Sequence, residues 1–230
     1  MTPDMRRATA GRADRRIIAS LVFVGAASIL AAGLVHLGSD VAERNRDPVP
    51  AARPLNVNAH IAIGRRSAED WQGNARAKVT LVEFGDYECP PCREVEGEVR
   101  SIVKAHGNRL RFEFRNYPIV TAHPAAMNAA SLAELARARG CFWSVHDELF
   151  SHSVDDYQMQ RIAREHSLDT STRASTYLEA RRRVHEDMAD ASVLGIDSTP
   201  SFVLCNSDGK LYSLPSFRNV GDYIARFVGK

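Results

Sequence analysis

The chain has 230 residues, 44% of them hydrophobic and 25% charged, with a formal net charge of +2. This composition suits a globular protein with one large core and excludes a disordered or collagen-like chain. The charge is too small to suggest a nucleic-acid surface, and no internal repeat points to a solenoid.

In chain order, residues 1–16 carry Arg6, Arg7, Arg12, Arg15 and Arg16 and read as a basic cytoplasmic end. The uncharged run Ile17 to Leu37 is long enough to cross a bilayer as a helix, so residues 17–37 are a transmembrane anchor or, cut near Ala31-Ala32-Gly33, an export signal. In both cases the basic cluster stays inside and the rest is exported. Residues 38–57, with Asp47-Pro48-Val49-Pro50 and Arg53-Pro54, have the composition of a linker, and residues 58–230 form the folded domain.

Within that domain His60 to Gly64 reads as a short edge strand and Val79 to Phe84, apolar on both faces, as a buried one. Cys89-Pro90-Pro91-Cys92 follows and heads a helix, Arg93 to His106, with Val95, Val99, Ile102 and Val103 at helical spacing. A thiol at a helix N-terminus meets the positive end of the aligned peptide dipoles, which favours thiolate, the species that attacks disulfides. Cys89, at the entrance with its sulfur able to stay open to solvent, is the candidate nucleophile; Cys92, one turn in, is the candidate resolving thiol. A zinc site would need two further ligands, and no second Cys-x-x-Cys or His-x-x-His pair appears, so no metal is expected.

Pro90 and Pro91 shape this site. Pro90 pushes Cys89 toward extended backbone, Pro91 suits the first helical turn, and neither offers an N–H to steady a thiolate. Glu83 lies in a strand otherwise built of Val, Leu, Thr and Phe. Buried, its carboxyl can hold a proton for exchange with Cys92; at a sheet edge it is a solvated charge.

Leu110 to Phe114 alternates apolar with charged residues, as a strand does. Four helices follow: Pro124 to Arg139, Phe142 to Phe150, Tyr157 to His166, and Thr172 to Leu194, the last with Tyr177, Val184, Met188 and Ala191 as its stripe and Gly195 as its cap. Ser201 to Cys205 and Lys210 to Leu214 flank the turn Asn206-Ser207-Asp208-Gly209 as a hairpin, and Asn219 to Val228 closes the chain as a helix. The order implies a two-layer α/β core with an inserted helical subdomain.

Four segments resemble, in order, landmarks of the DsbA-like branch of the thioredoxin superfamily: Leu81 to Cys92; Arg115-Asn116-Tyr117-Pro118 with Ala122 to Ala126; Phe142 to Phe150; and Gly195 to Phe202. The resemblance covers Lys78 to Lys230. It implies a thioredoxin fold with a helical insertion at about 120–195 and a thiol–disulfide oxidoreductase in the cell envelope, on the periplasmic or extracytoplasmic side of the inner membrane. It also implies no cofactor beyond the dithiol, cysteine-containing exported proteins as clients, and a membrane redox partner, either a quinone-linked oxidase or an electron-donating reductase. In that family the acid at the offset of Glu83 is a proton relay, and Thr199–Pro200 is a cis peptide packed against the dithiol, offering Thr199 backbone groups to an extended client. The most oxidising members carry a histidine between their cysteines; without one, this dithiol is expected to be a weaker oxidant.

Cys141 and Cys205 are brought by the implied fold to the pole opposite the dithiol. They are expected as a structural disulfide stapling the insertion to the sheet, or else as two buried free thiols. His123 and Trp143 are expected to start a helix and to pack the core. Three other functions fit the same residues: a reductase or isomerase fed by a membrane donor, a Cu(I)-delivery protein using the two thiolates, and a redox-inert holdase.

Overall fold

The computed structural model describes residues 50–55, 57 and 71–228. The basic end, the apolar run of residues 17–37 and the strand expected over His60 to Gly64 lie outside them. Among the described residues no helix is long and apolar enough to cross a membrane.

The strands are β1 (Arg53–Pro54), β2 (Trp71–Gly73), β3 (Val79–Gly85), β4 (Leu110–Asn116), β5 (Ser201–Cys205) and β6 (Leu211–Ser213). The helices are α1 (Pro90–His106), α2 (Ala126–Arg137), α3 (Phe142–Ser151), α4 (Asp156–Glu165), α5 (Ser175–Val193) and α6 (Val220–Val228), the last entered through a 3₁₀ turn at Phe217–Asn219. They build one six-stranded sheet in the order β1-β6-β5-β3-β4-β2. β3 is central, parallel to β4 across the α1 crossover and antiparallel to β5, and all seven of its residues are buried. The expected thioredoxin-like α/β architecture with helices between β4 and β5 is therefore present.

Side-chain parity assigns each strand residue to one of two cores. On one face Leu81, Phe112, Phe114, Phe202 and Leu204 pack with buried residues of α1, α2, α3, α4 and α6; on the other Val82, Phe84, Val203 and Leu211 pack against Ala191 and Leu194 at the end of α5. At about 25 cal/mol per Å² of apolar surface, the first and larger core supplies most of the hydrophobic stabilisation. The hairpin β5–β6 turns at Asn206, whose Oδ1 accepts from the N–H groups of Asp208 (3.0 Å) and Lys210 (2.9 Å), while Gly209 takes φ +72°.

Two elements differ from the sequence reading. Arg53–Pro54, expected within the linker, is an edge strand antiparallel to β6, because a two-residue pairing leaves no periodicity to read. Trp71–Gly73 pairs with Arg111 to Glu113 of β4, with the Arg111 guanidinium over the Trp71 ring at 5.2 Å. Gly73 has φ +88°, and a Cβ there would lie 2.2 Å from the Leu110 carbonyl oxygen, so only glycine lets β2 approach β4 this closely.

The charged residues that alternate along β4 share one face, where Glu113 and Arg115 are buried because α5 covers that face with acids. Arg115 lies 2.5 Å from Asp190 and 4.0 Å from Asp187, and Glu113 lies 3.3 Å from Arg115 and 3.4 Å from Arg111. Asn116 gives its backbone N–H to Asp187 (3.0 Å) and its amide to Glu134 of α2 (2.8 Å), and Glu134 is held by Arg137 (3.0 Å). On α5 this moves the buried stripe from Met188 to Asp187.

Candidate active site

β3 ends at Gly85, where a Cβ would strike the Phe114 ring at 2.4 Å, and the turn Asp86 to Glu88 carries the chain up into α1. Cys89 is the N-cap with extended backbone (φ −68°, ψ 120°), and Pro90 and Pro91 fill the first helical positions. The helix start normally presents several N–H groups, and the prolines remove two of them, so the Cys92 N–H is the first donor α1 can offer. It points at the Cys89 sulfur.

The two thiols are free and differ in environment. Hydrogen bonding from the Cys92 thiol, reinforced by the Cys92 N–H, lowers the Cys89 pKa to about 6, against the opposing effects of burial and the Asp86 carboxylate. Burial, the hydrogen bond to Cys89 and the charge of Glu83 push the Cys92 thiol far up. The pair therefore divides into a thiolate-forming sulfur and one that keeps its proton. The sulfur expected to be open is itself only 4% exposed, because the Cys89 S–H donates to the Thr199 carbonyl at 3.4 Å and the Thr199–Pro200 loop roofs it. The Thr199–Pro200 peptide is cis.

Glu83 is fully buried on central β3, so the solvated-edge alternative does not hold. Neither of its oxygens has a hydrogen-bond partner among the described residues. Its pKa lies well above the ordinary 4.5, raised first by burial and then by Glu96 and Cys89. An acid so placed is protonated where ordinary glutamates are not, and it faces Cys92 electrostatically.

The structure also gathers residues that the spacing did not single out. Asp86, 2% exposed, accepts from the N–H groups of Glu88 (2.8 Å) and Ile119 (2.9 Å) and lies 2.7 Å from Nδ1 of His123. His123, expected to start a helix, instead sits before α2 with its ring on the dithiol turn. The signal was Asp86 itself, a polar residue between a buried strand and a thiol. Deeper, the Tyr87 hydroxyl meets His146 Nδ1 at 3.1 Å, and His146 Nε2 lies 3.6 Å from Glu96, one helical turn beyond Cys92. Glu96, His146 and Asp147 cluster closely enough to ligate a cation, but Arg100 lies 3.1 Å from Glu96 and 3.5 Å from Asp147 and supplies the counter-charge. Trp143 packs against the core as expected.

Cys141 and Cys205 are not bridged, which corrects the disulfide alternative. Cys205 shares parity with Val203 and packs in the α5-side core, whereas Cys141 precedes α3 and packs in the other. The sheet separates them. Burial raises both thiols, leaving them inert at neutral pH.

Comparisons with known proteins agree with this geometry. A thioredoxin family model matches residues 66–221. A thioredoxin-like oxidoreductase from Silicibacter pomeroyi is 29% identical with TM-score 0.57, covering 74% of this chain and 97% of its own. In fold alone, DsbA2 of Pseudomonas aeruginosa (21% identity, TM-score 0.52, 78% and 98% covered) and the catalytic domain of Proteus mirabilis ScsC (17%, 0.57, 72% and 92%) are similar. Among curated relatives, the Na(+)/H(+) antiporter NhaA 1 of Mycobacterium sp. (strain KMS) is 33% identical over 154 residues, 63% of this chain but 24% of that protein. The chain thus spans about a quarter of the length of such relatives. With a strand-to-helix dithiol and helices inserted between β4 and β5, and with residues 66–221 matching its family model, this chain belongs to the thioredoxin family.

Proposed function

We propose that this protein exchanges disulfides with the cysteines of exported proteins through Cys89-Pro90-Pro91-Cys92, on the extracytoplasmic side of the membrane and tethered by residues 17–37. The observation that carries this reading is the division of the dithiol: one sulfur held as thiolate near neutral pH under the Thr199 carbonyl, the other kept protonated behind it.

The chemistry runs in either direction through one mixed disulfide. Starting from the oxidised pair, a client thiolate attacks Cys89 Sγ; the Cys89–Cys92 bond breaks and Cys92 leaves with the electron pair, taking a proton from Glu83. A second client thiolate then attacks the client sulfur, forming the client disulfide and releasing Cys89 as thiolate. In reverse, Glu83 takes the proton from Cys92, whose thiolate expels the client. An ionised Cys89 no longer donates to Thr199, so that carbonyl becomes free for the N–H of an extended client strand.

A stabilised leaving thiolate favours the reduced pair, which makes the disulfide form an oxidant. A Cys89 pKa of about 6 supports oxidation of clients by a couple weaker than one near about −120 mV, with a quinone-linked membrane oxidase as its resetting partner. Expression of a Cys92→Ser variant should capture exported proteins as mixed disulfides on Cys89. Mostly oxidised wild-type protein in the cell supports this direction, whereas mostly reduced protein supports an electron-donating reductase. Absence of any captured client, with Cys89 no more acidic than free cysteine, overturns the function.

A further inference from the structure

A thiolate beside a buried carboxylate is electrostatically opposed, and Asp86 is such a carboxylate, built into the turn directly under Cys89. Its backbone carbonyl accepts the Cys89 N–H at 3.1 Å, so it cannot move away without moving the nucleophile. Its side chain points to the segment between β4 and α2, where Oδ2 meets both the Ile119 N–H and His123 Nδ1. His123 keeps 20% of its side chain exposed and can exchange a proton with solvent. It arrives from a different part of the chain, and no residue between the two cysteines can play its part, since both are prolines.

We propose that His123 is a positioning residue for the dithiol: its imidazolium cancels the buried charge of Asp86 and thereby lets Cys89 stand as thiolate. This rests on Cys89 being the nucleophile. The other charged groups on this turn are engaged. Glu88 accepts the Ala125 N–H at 2.7 Å, and Arg93 is bound to the carbonyls of Phe150 (2.7 Å) and Tyr87 (2.8 Å). Arg93 stays charged throughout the physiological range, so only His123 makes the compensation depend on pH. Its hydrogen bond to Asp86, and secondarily the Asp86 and Cys89 charges, raise the pKa of His123 against the opposing effect of burial.

The test is Cys89 ionisation in the full chain, followed by thiolate absorbance and by alkylation rate against pH. His123→Ala should lower the thiolate fraction near the wild-type midpoint by about 3- to 10-fold. His123→Gln, which keeps a donor for Asp86 but carries no charge, should match it. In an Asp86→Asn background, His123→Ala should change nothing further. Wild-type ionisation in His123→Gln, an unchanged midpoint in His123→Ala, or the same shift with and without Asp86 each overturns the proposal while leaving Cys89 as nucleophile. If wild-type Cys89 titrates like free cysteine, both readings fall together.

Discussion

The end of β3 and the flank of β4 both bury carboxylates, and they hold them in opposite ways. On β4, Glu113 and Arg115 face the acids of α5, and Asn116 bridges Asp187 to Glu134, so each charge meets counter-charge or a donor. On β3, one strand away, Glu83 is as deeply buried and has no hydrogen bond among the described residues. Partnered burial fixes where the helical insertion sits; partnerless burial raises a pKa and stores a proton beside a thiol. On the proposed function, the cost of burying an acid is accepted twice here, once for architecture and once for chemistry.

The sharpest way to break the comparison is to remove a partner from the paired region. Arg115→Leu leaves Glu113, Asp187 and Asp190 without their shared cation and should cost about 3–5 kcal/mol in denaturant unfolding. Alkylation of Cys89 in the protein that remains folded should be unchanged, and a fully stable variant would show that the cluster is not structural.

Glu83→Gln should act in the opposite sense. A carboxyl whose folded pKa is raised contributes stability below its unfolded value, and loses it as pH rises through the folded one. At neutral pH the variant should therefore be more stable than wild type by at least about 1 kcal/mol, an advantage that vanishes below about pH 4. The same substitution should slow release of mixed disulfides by about 10-fold or more, because Cys92 loses its proton acceptor. Faster or equal release with raised stability would remove Glu83 from the chemistry.

A smaller effect sharpens the contrast between the two sulfurs. Cys89 alkylation should rise with a midpoint at about pH 6, while Cys92 stays unreactive into the alkaline range. Because the Cys89 pKa is depressed from 9.0, its contribution to folding is present above that value and is lost as pH falls through about 6. Reduced wild type should accordingly gain on Cys89→Ser between those limits, as read by thermal unfolding across pH. The smallest effect belongs to the remaining cysteines. Ser at Cys141 or Cys205 should leave exchange activity intact, and reductant should not alter the unfolding of a variant lacking Cys89 and Cys92, since no bridge joins the two.

Much of this site was legible from local pattern. The apolar run to Phe84, the dithiol after it and the amphipathic α1 specify where a reactive thiol stands, because strand burial and helix polarity act over a few neighbouring residues. The hairpin turn and the α5 cap at Gly195, with φ +70°, were equally local. Glu83 could be named as a candidate on a buried strand, but the lack of a partner for its oxygens among the described residues depends on how the neighbouring segments close around it.

What the amino-acid order determined by itself was the element sequence from β3 onward, the Cys-Pro-Pro-Cys display and the two missing N–H donors, all consequences of bonding between near neighbours. Tertiary structure alone decided that Asp187 and Asp190 would make β4 a two-sided core strand, that His123 would reach Asp86, and that Thr199 would roof Cys89. It also placed Cys141 and Cys205 on opposite faces of the sheet. Each of these outcomes depends on parity and packing between segments far apart in the chain, and charge pairing at such range leaves no period to read.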